Sequence, residues 1–363
     1  MLTRRATLVA GAVGALATAG VIEHWWRRRE RWDPDAALPA SSPEVVAHVG
    51  QMPYRRFGAT GLEVSELGFG AWAIGGKAYG AVDPRDARLA FARAEELGCN
   101  LVDTAMVYGD SETVIGEFMR TRRSRWIIAT KYSFQGAGLT ATLEQQLRRL
   151  GTDVIDFYQL HSLPESPGVY DELYRAKKAG KVRFVGASIY TARDIDTVIA
   201  QGLLDGVQLP FNLLEPEPFL LRVAQLRRSR LAVLVRSPLR EGFLAGKFRR
   251  DATFTDPNDQ RHSWSAARIA ATVDAVERFR FLSVEAGTMV RAAVAYTLSF
   301  PEVSAVLLGT KTFEQADSNF SRLPGARLST ASLRQIGAIQ REREAGEPRS
   351  LRALVKQLLG LRP

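Results

Sequence analysis

The chain is short of the residues on which much protein chemistry is built. Its 363 residues include one cysteine, Cys99. A single thiol can neither close an internal disulfide nor furnish a thiolate zinc cluster. There are four histidines and no HExxH pattern, which leaves little from which to build a metal site. No apolar run is followed by GxGxxG, so the dinucleotide fingerprint of an open, doubly wound sheet is missing. The 49 Lys+Arg exceed the 39 Asp+Glu and give a formal charge of +10. The arginines are nevertheless scattered, with no aromatic-interleaved basic block and no nucleic-acid motif. Nucleic acid is therefore not expected as a partner, and an anionic cofactor fits the charge better. Apolar residues at 46% and charged residues at 24% are ordinary for a soluble domain. The length suits two modest domains or one large α/β barrel. Chemistry here must run on Asp, Glu, Tyr, Lys and His, or on a borrowed cofactor.

The first 32 residues do not read as part of a fold. TRRATLVAGAVGALATAGVI carries Arg4 and Arg5 ahead of an Ala/Gly/Val run with no charge until Glu23. This looks like a twin-arginine export signal, with Thr7 where an aromatic residue or leucine is usual and Leu8 after it. Ala17-Thr18-Ala19 could serve as a small-residue cleavage site. The run is short and alanine-rich, hence marginal as a membrane span. Trp25, Trp26 and Trp32 among arginines have the composition of an interfacial anchor. The expectation is an exported protein, periplasmic or held at the membrane by this segment, with a cytoplasmic location as the alternative. Residues 33–51 read as a linker, 52–347 as the folded domain and 348–363 as a basic tail.

From about residue 52 onward, eight short β-rich runs recur: 65–72, 100–105, 126–131, 154–161, 182–189, 206–212, 231–239 and 304–310. Each is mostly apolar without strict alternation, the pattern of strands buried on both faces of a parallel sheet. Helical spacing lies between them. Residues 83–98 place Leu89, Ala90, Ala94 and Leu97 on one side. Residues 139–151 place Leu139, Leu143, Leu147 and Leu150 at intervals of three and four. Gly98, Gly151 and Gly180 stand where helix C-caps belong, and Thr191 stands at an N-cap position. Eight strands alternating with helices over some 300 residues predict a single (β/α)8 TIM barrel rather than a doubly wound open sheet. YRRFGATGLEVSELGFG predicts an N-terminal β-hairpin that plugs the closed end of the barrel.

Function in such a barrel collects at the C-terminal strand ends. Asp103 closes the second run, Tyr108 follows in its loop, Lys131 closes the third and His161 the fourth. Taken singly, Asp103 caps a turn, Lys131 snorkels to solvent and His161 sits satisfied in a core. Together, on three successive strands, they describe one site. A phenol has a pKa of about 10, and a neighbouring ammonium lowers it. A buried lysine needs an anion beside it, and Asp103 supplies one. The set describes a phenol tuned as general acid/base at a carbonyl or alcohol carbon. No nucleophile–base pair and no two close carboxylates stand at these strand ends, which argues against covalent hydrolysis and glycoside cleavage. A phenol that protonates a developing alkoxide needs a hydride donor, and no side chain is one, so a nicotinamide is implied.

The matching pieces YRRFGATGLEVSELGFGAW, DTAMVYGDSETVIGEFM, IIATK, DFYQLH, GKVRFVGAS, GVQLPFN, SPLREGFLAGK and LLGTKTFEQADSN occur in order over about residues 52–345. In these the chain resembles the aldo-keto reductases. The resemblance implies NADPH-dependent reduction of aldehydes or ketones, or the reverse oxidation, with NADH as the other possible cofactor. It implies that Tyr108 is the proton donor, that Lys131 lowers its pKa, that Asp103 holds Lys131 and that His161 orients the carbonyl. It places Ser188 and Gln208 at the nicotinamide carboxamide, Phe211 near the ring, and Trp72 among the cofactor contacts. Ser237, Pro238, Leu239, Gly242 and Lys247 would wrap the pyrophosphate. Gly309, Thr310, Lys311, Gln315 and Asn319 would bind the adenosine end, and a loop with a lysine at a helix start suits a phosphate unaided. The chain departs from the family at Ser188-Ile189, where Ser-Asn is frequent, at LLGT in the eighth strand, and at Gln315, where arginine is frequent. NADPH over NADH thus rests mainly on Lys311, with Arg268 as another candidate phosphate partner. The loops at 79–84 and 249–263 are expected to shape the pocket. A slow-turnover accessory or sensor protein of the same fold, and a barrel that binds a phosphorylated metabolite without redox, are the competing readings.

Overall fold

Each of the eight apolar runs is a strand, and the eight close on themselves. The computed structural model describes residue 33 and residues 38–346 apart from 77, 78 and 81. The leader read in 1–32 and the tail read in 348–363 lie outside the described residues. The barrel strands are β4 (Leu67–Gly70), β5 (Leu101–Asp103), β6 (Ile127–Tyr132) and β7 (Ile155–Leu160), then β8 (Val182–Ser188), β9 (Gly206–Pro210), β10 (Ala232–Arg236) and β11 (Ala305–Gly309). All pair in parallel in sequence order, and β11 pairs with β4 to close the ring. Among the described residues no barrel strand has an edge left open, and both faces are covered, which is why the runs can be apolar throughout.

The amino-terminal sheet is larger than the expected hairpin. Strands β2 (Met52–Arg56) and β3 (Glu63–Ser65) form the antiparallel pair, and β1 (Ala47–Val49) adds a third strand beside β2. β1 falls inside the stretch read as linker; its backbone pairs with β2 although its side chains are mostly exposed, so the sequence carries little apolar signal there. The turn after β2 does plug the barrel. Phe57 and Val64 are fully buried against the interior residues Leu101, Ala129, Phe157 and Leu234. The Phe57 ring meets Phe157 edge-on at 4.9 Å. Burying a phenylalanine contributes roughly 1.5–3 kcal/mol.

The helices form the outer layer. α1 (Pro84–Glu96) starts at Asp83, whose carboxylate accepts from the Arg85 backbone N–H. Its buried stripe is Ala87, Ala90, Phe91 and Ala94, and Leu89 faces solvent, which corrects the expected stripe by one position. Phe91 stacks on Phe69 of β4 at 4.0 Å, and that bulky ring sets which side turns inward. α2 (Ser111–Met119) and α3 (Leu139–Leu150) follow, and in α3 all four predicted leucines are buried. α4 (Gly168–Lys178) leads to β8. α5 (Ala192–Gln201) opens with a reciprocal capping box between Thr191 and Asp194 and closes on left-handed Gly202. α6 (Phe219–Ser229) precedes β10. The seventh βα unit is enlarged: a long loop leads to α7 (Ala266–Glu277), α8 (Leu282–Ala286) and α9 (Met289–Leu298) before β11. α10 (Phe313–Arg322) and α11 (Thr330–Gly346) complete the layer.

Candidate active site

The four strand-end residues converge. Lys131 Nζ donates to Asp103 Oδ2 at 2.6 Å and to the Thr104 carbonyl at 2.8 Å. The lysine side chain is fully buried. The same ammonium lies 4.9 Å from the centroid of the Tyr108 ring. His161 lies beyond the phenol, the ring centroids 5.8 Å apart. Trp72 packs edge-on against Tyr108, centroids at 4.6 Å. The Tyr108 loop is seated by two glycines. A Cβ on Gly75 would fall 1.8 Å from the Tyr108 carbonyl oxygen. A Cβ on left-handed Gly109 would fall 2.0 Å from the Gly75 carbonyl oxygen. Only bare backbone permits this approach.

Behind the site stands a layer of buried polar groups. Asp103 Oδ1 accepts from Gln159 Nε2 at 3.0 Å and from Gln208 Nε2 at 2.8 Å. The carboxylate is therefore held from three sides, as a buried charge must be. Gln146 Nε2 donates to the Lys131 carbonyl at 3.1 Å and to Glu112 at 2.7 Å, and Glu112 also receives Thr130 and Arg149. That network fixes the backbone of β6 at Lys131. The Ser133 hydroxyl lies 2.6 Å from His161 Nδ1.

Burial pushes the Tyr108 phenol above its ordinary value. Lys131 opposes this by charge and by hydrogen bond, and the charge on Arg236 opposes it too, whereas Asp103 acts in the same sense as burial. Lys131 thus lowers the phenol as expected, while burial is the larger effect and leaves the net direction upward. For Lys131, burial disfavours the charge, but Asp103 and Tyr108 more than offset it and hold the ammonium above its ordinary value.

A cavity of about 610 Å³ opens over these groups at the C-terminal ends of the strands. Asp103, Tyr108 and His161 line it, with Lys131 beneath. Of the expected cofactor contacts, Trp72, Ser188, Gln208, Ser237, Pro238, Leu239, Gly242, Lys247, Gly309, Lys311 and Gln315 are on its wall. Gln208 spends its amide nitrogen on Asp103 and Gln159. Thr310 and Asn319 are off the wall and bond each other at 3.1 Å, because Thr310 follows inward Gly309 and so points outward. Phe211, one step beyond β9, is also off the wall and fully buried against Phe219, Tyr296 and Phe300. The Arg268 guanidinium sits over the Trp264 ring at 3.6 Å, and Arg261 is the residue of that segment on the wall. Tyr79 and Gln260, from the two loops expected to shape the pocket, line it and bond each other at 2.7 Å.

The wall fits a long anionic ligand. Lys247, Arg261 and Lys311 line the cavity, and Lys311 stands just before α10, whose N-cap is Thr312. Gly309 offers bare backbone, with open space where a Cβ would be. The loop after β10 holds Ser237, Arg240 and Glu241 at φ of 55°, 47° and 49°. Left-handed backbone at such residues is unfavourable by roughly 1–2 kcal/mol each and is typical of ligand loops. A nicotinamide dinucleotide, with charged phosphates and an uncharged carboxamide, matches this donor set.

Several groups escaped the reading of the sequence. Gln159 and Ser133 lie two residues from His161 and Lys131, on the same faces of their strands. Arg236 lies two residues beyond Leu234, which is inside the barrel. Two-residue alternation, applied to each strand from its interior apolar residue, finds all three. Tyr190 and Glu241 lie in loops and carry no such signal.

A family model described as "Aldo/keto reductase family" matches residues 66–341. The sequence is 28% identical over 313 residues to "Aldo-keto reductase YhdN" of Bacillus subtilis (strain 168), covering 79% of this chain and 93% of that protein. It is 27% identical over 302 residues to "NADH-specific methylglyoxal reductase" of Escherichia coli (strain K12), covering 73% and 92%. Among solved structures, the glycerol dehydrogenase AKR11B4 from Gluconobacter oxydans matches with a TM-score of 0.68 at 24% identity, covering 82% of this chain and 98% of that one. This last likeness concerns the fold. The chain belongs to the aldo/keto reductase family and is an NAD(P)H-dependent oxidoreductase.

Proposed function

We propose that the protein reduces the carbonyl of a small aldehyde or ketone to the alcohol with NADPH, or runs the reverse oxidation, with Tyr108 as the general acid/base. The observation that carries this reading is the phenol on the cavity wall above a buried Lys131–Asp103 pair. The cofactor supplies a hydride when bound. The Tyr108 hydroxyl, protonated through neutral pH, donates its proton to the substrate oxygen. Lys131 is fixed by Asp103 and the Thr104 carbonyl, so its charge is already in place when the phenol loses that proton. His161, with Nδ1 engaged by Ser133, directs its other nitrogen to the substrate oxygen.

Ser188 and the carbonyl of the Gln208 side chain hold the carboxamide. The loop 237–242 and Lys247 hold the pyrophosphate, and Lys311 with Gln315 holds the adenosine end. Lys311 is the support for NADPH over NADH, because an extra phosphate needs a cation. The Escherichia coli relative that is NADH-specific makes this choice worth direct measurement. The leader read in residues 1–32 supports export, with folding and cofactor loading first; fractionation that finds all of the protein soluble in the cytosol overturns it.

The test is to follow cofactor absorbance with an activated aldehyde such as nitrobenzaldehyde, using NADPH and NADH in turn. Tyr108→Phe is expected to lose about 10²–10⁴-fold in rate, the range for one general acid, while still binding NADPH. No turnover across a broad carbonyl panel, or a Tyr108→Phe variant as fast as wild type, sinks the proposal.

A further inference from the structure

We propose that the N-terminal end of the barrel docks on an anionic phospholipid surface, through a patch built from β1 and the connection between α2 and β6. The inference does not depend on the reductase reading, since it concerns the opposite end of the barrel. The patch is contiguous. A second cavity, of about 430 Å³, is lined by Val49 of β1, by Glu95 and Gly98 around the end of α1, and by Arg122 and Arg125. A Cβ on Gly98 would fall 2.7 Å from the Val49 carbonyl oxygen, so β1 lies directly against the end of α1. Val45 and Val49 are 38% and 48% exposed. Arg120 closes α2 and is exposed. Gly116 of α2 packs on the Arg149 and Leu150 backbone, which brings the exposed Arg148 into the same sector.

Positive charge exceeds negative on this patch. Glu95 serves two guanidiniums, Arg125 at 2.6 Å and Arg122 at 3.7 Å, and also accepts from the Trp126 indole. Glu96 is paired with Arg93. Arg120 and Arg148 form no ion pair among the described residues, and the neighbouring turn 151–154 adds the exposed Asp153. Arg123 is different, because its guanidinium is spent on Thr152, the Val154 carbonyl and Asp156. A basic last turn complements the dipole of its own helix, which accounts for Arg148. Arg122 and Arg125 lie beyond the end of α2 and are not accounted for in that way.

A lipid headgroup layer suits such a surface on two counts. Its phosphates meet the guanidinium fork, and its acyl boundary accepts the exposed valines. Nucleic acid offers the phosphates alone. The order of the chain agrees. β1 is the first strand, and residues 33–46 join it to the leader with its tryptophans and arginines. That stretch spans at most about 50 Å when extended, so a leader seated at a bilayer keeps the patch within reach, and a weak contact is enough. No helix among the described residues is long and apolar enough to cross a membrane, so the barrel lies on the surface. β6 runs from Ile127, beside the patch, to Lys131 and Tyr132 at the catalytic end. Docking therefore leaves the mouth of the active site turned toward water.

The experiment titrates the purified full chain with vesicles of phosphatidylcholine, with and without phosphatidylglycerol. Binding should be tighter to the anionic vesicles and should weaken with added salt. Arg120→Gln/Arg125→Gln/Arg148→Gln should bind them roughly 10- to 100-fold more weakly, at about fivefold per arginine. Arg249→Gln/Arg250→Gln, from the loop at the mouth, removes similar exposed charge and should change binding little. A second measurement reads orientation and keeps the question open to refutation if the triple variant does not fold. Cys99 is buried, so a polarity-sensitive thiol dye reports an introduced cysteine. The dye on Val49→Cys should shift to the blue on anionic vesicles, and the dye on Thr253→Cys, in the mouth loop, should not. Equal binding to neutral and anionic vesicles, or no binding to either, overturns the proposal. A folded triple variant that binds like wild type, or two dyes that respond alike, means that the leader alone holds the protein, and also overturns it. A DNA duplex that binds more tightly than the anionic vesicles, and is lost in the triple variant, assigns the patch to nucleic acid instead.

Discussion

Replacing Asp103 with asparagine removes the charge that keeps Lys131 an ammonium. The side chain keeps its shape but presents one acceptor where the carboxylate presented two. In the native site Lys131 takes one oxygen at 2.6 Å, and Gln159 and Gln208 share the other. An amide cannot satisfy both sets, so one donor meets another. Lys131 has no exposed surface, and Asp103 is its one carboxylate partner among the described residues. Breaking a buried ion pair from one side costs about 3–5 kcal/mol. At roughly 2–4 °C per kcal/mol for a domain approaching this size, the melting temperature falls by about 6–20 °C. The pH dependence has a definite sign. In wild type the folded lysine is held above its ordinary value, so its contribution is present below about pH 10.4 and is lost only as pH rises through the folded value. In the variant, burial acts without the carboxylate, the folded value drops below the unfolded one, and folding releases a proton. Variant stability then rises with pH, and its gap to wild type narrows between neutral pH and about pH 10. Thermal unfolding of Asp103→Asn and of the double variant Asp103→Asn/Lys131→Met, from pH 6 to 10, reads both effects. The double variant should be the more stable of the two near neutral pH, because the uncompensated charge is gone. A single variant within a degree of wild type, or a gap that does not change with pH, refutes the reasoning.

Two further perturbations test how the site is held. Gly75→Ala puts a methyl 1.8 Å from the Tyr108 carbonyl, and the loop must move; we expect a loss of about 1–3 kcal/mol in stability and about 10²-fold in rate, with NADPH affinity less affected. Denaturant titration and steady-state kinetics check it, and a rate within twofold of wild type contradicts the seating role. Ser133→Ala removes the 2.6 Å partner of His161 Nδ1; KM for a neutral aldehyde should rise roughly 2- to 10-fold while kcat changes less, and Ser133→Thr should restore it. Nitrogen chemical shifts of the His161 ring should change with Ser133→Ala, and an unchanged ring spectrum counts against a tautomer role.

How much of this was legible in the sequence depends on the kind of signal each group leaves. The barrel was legible because burial on both faces forces eight apolar runs, and nothing local competes with them. The tetrad positions were legible because polar residues at the ends of apolar runs stand out. Phe211 and Thr310 stand off the cavity wall because a family match gives a position along the chain, whereas facing the cavity depends on parity along the strand. Gly309 is inward and Thr310 outward; Gln208 is inward and Phe211 outward. The same parity would have found Gln159, Ser133 and Arg236 beforehand. Leu89 was misplaced because alanines carry little weight in a periodicity count, and Phe91 decided which side turned inward. The Tyr108 balance was not legible at all. A sequence places a lysine beside a phenol but does not state how much water the fold removes from both.

That balance bears on the proposed chemistry. A phenol acidified in the resting site would be partly ionised, and the fraction lacking a proton could not reduce a carbonyl. Here burial outweighs Lys131, and the hydroxyl remains a donor. The ammonium does not thereby become idle. It is locked between Asp103 and the Thr104 carbonyl, and it cannot relax away from the phenol. Its interaction with a neutral hydroxyl is weak, and its interaction with the phenolate formed on proton transfer is strong in a site stripped of water. An interaction that grows along the reaction lowers the barrier rather than tightening the ground state. On the proposed reading, the Tyr108 proton passes to a substrate oxygen, and Lys131 stabilises the phenolate that its departure leaves behind. Lys131→Met should therefore slow turnover far more than it changes substrate or cofactor affinity.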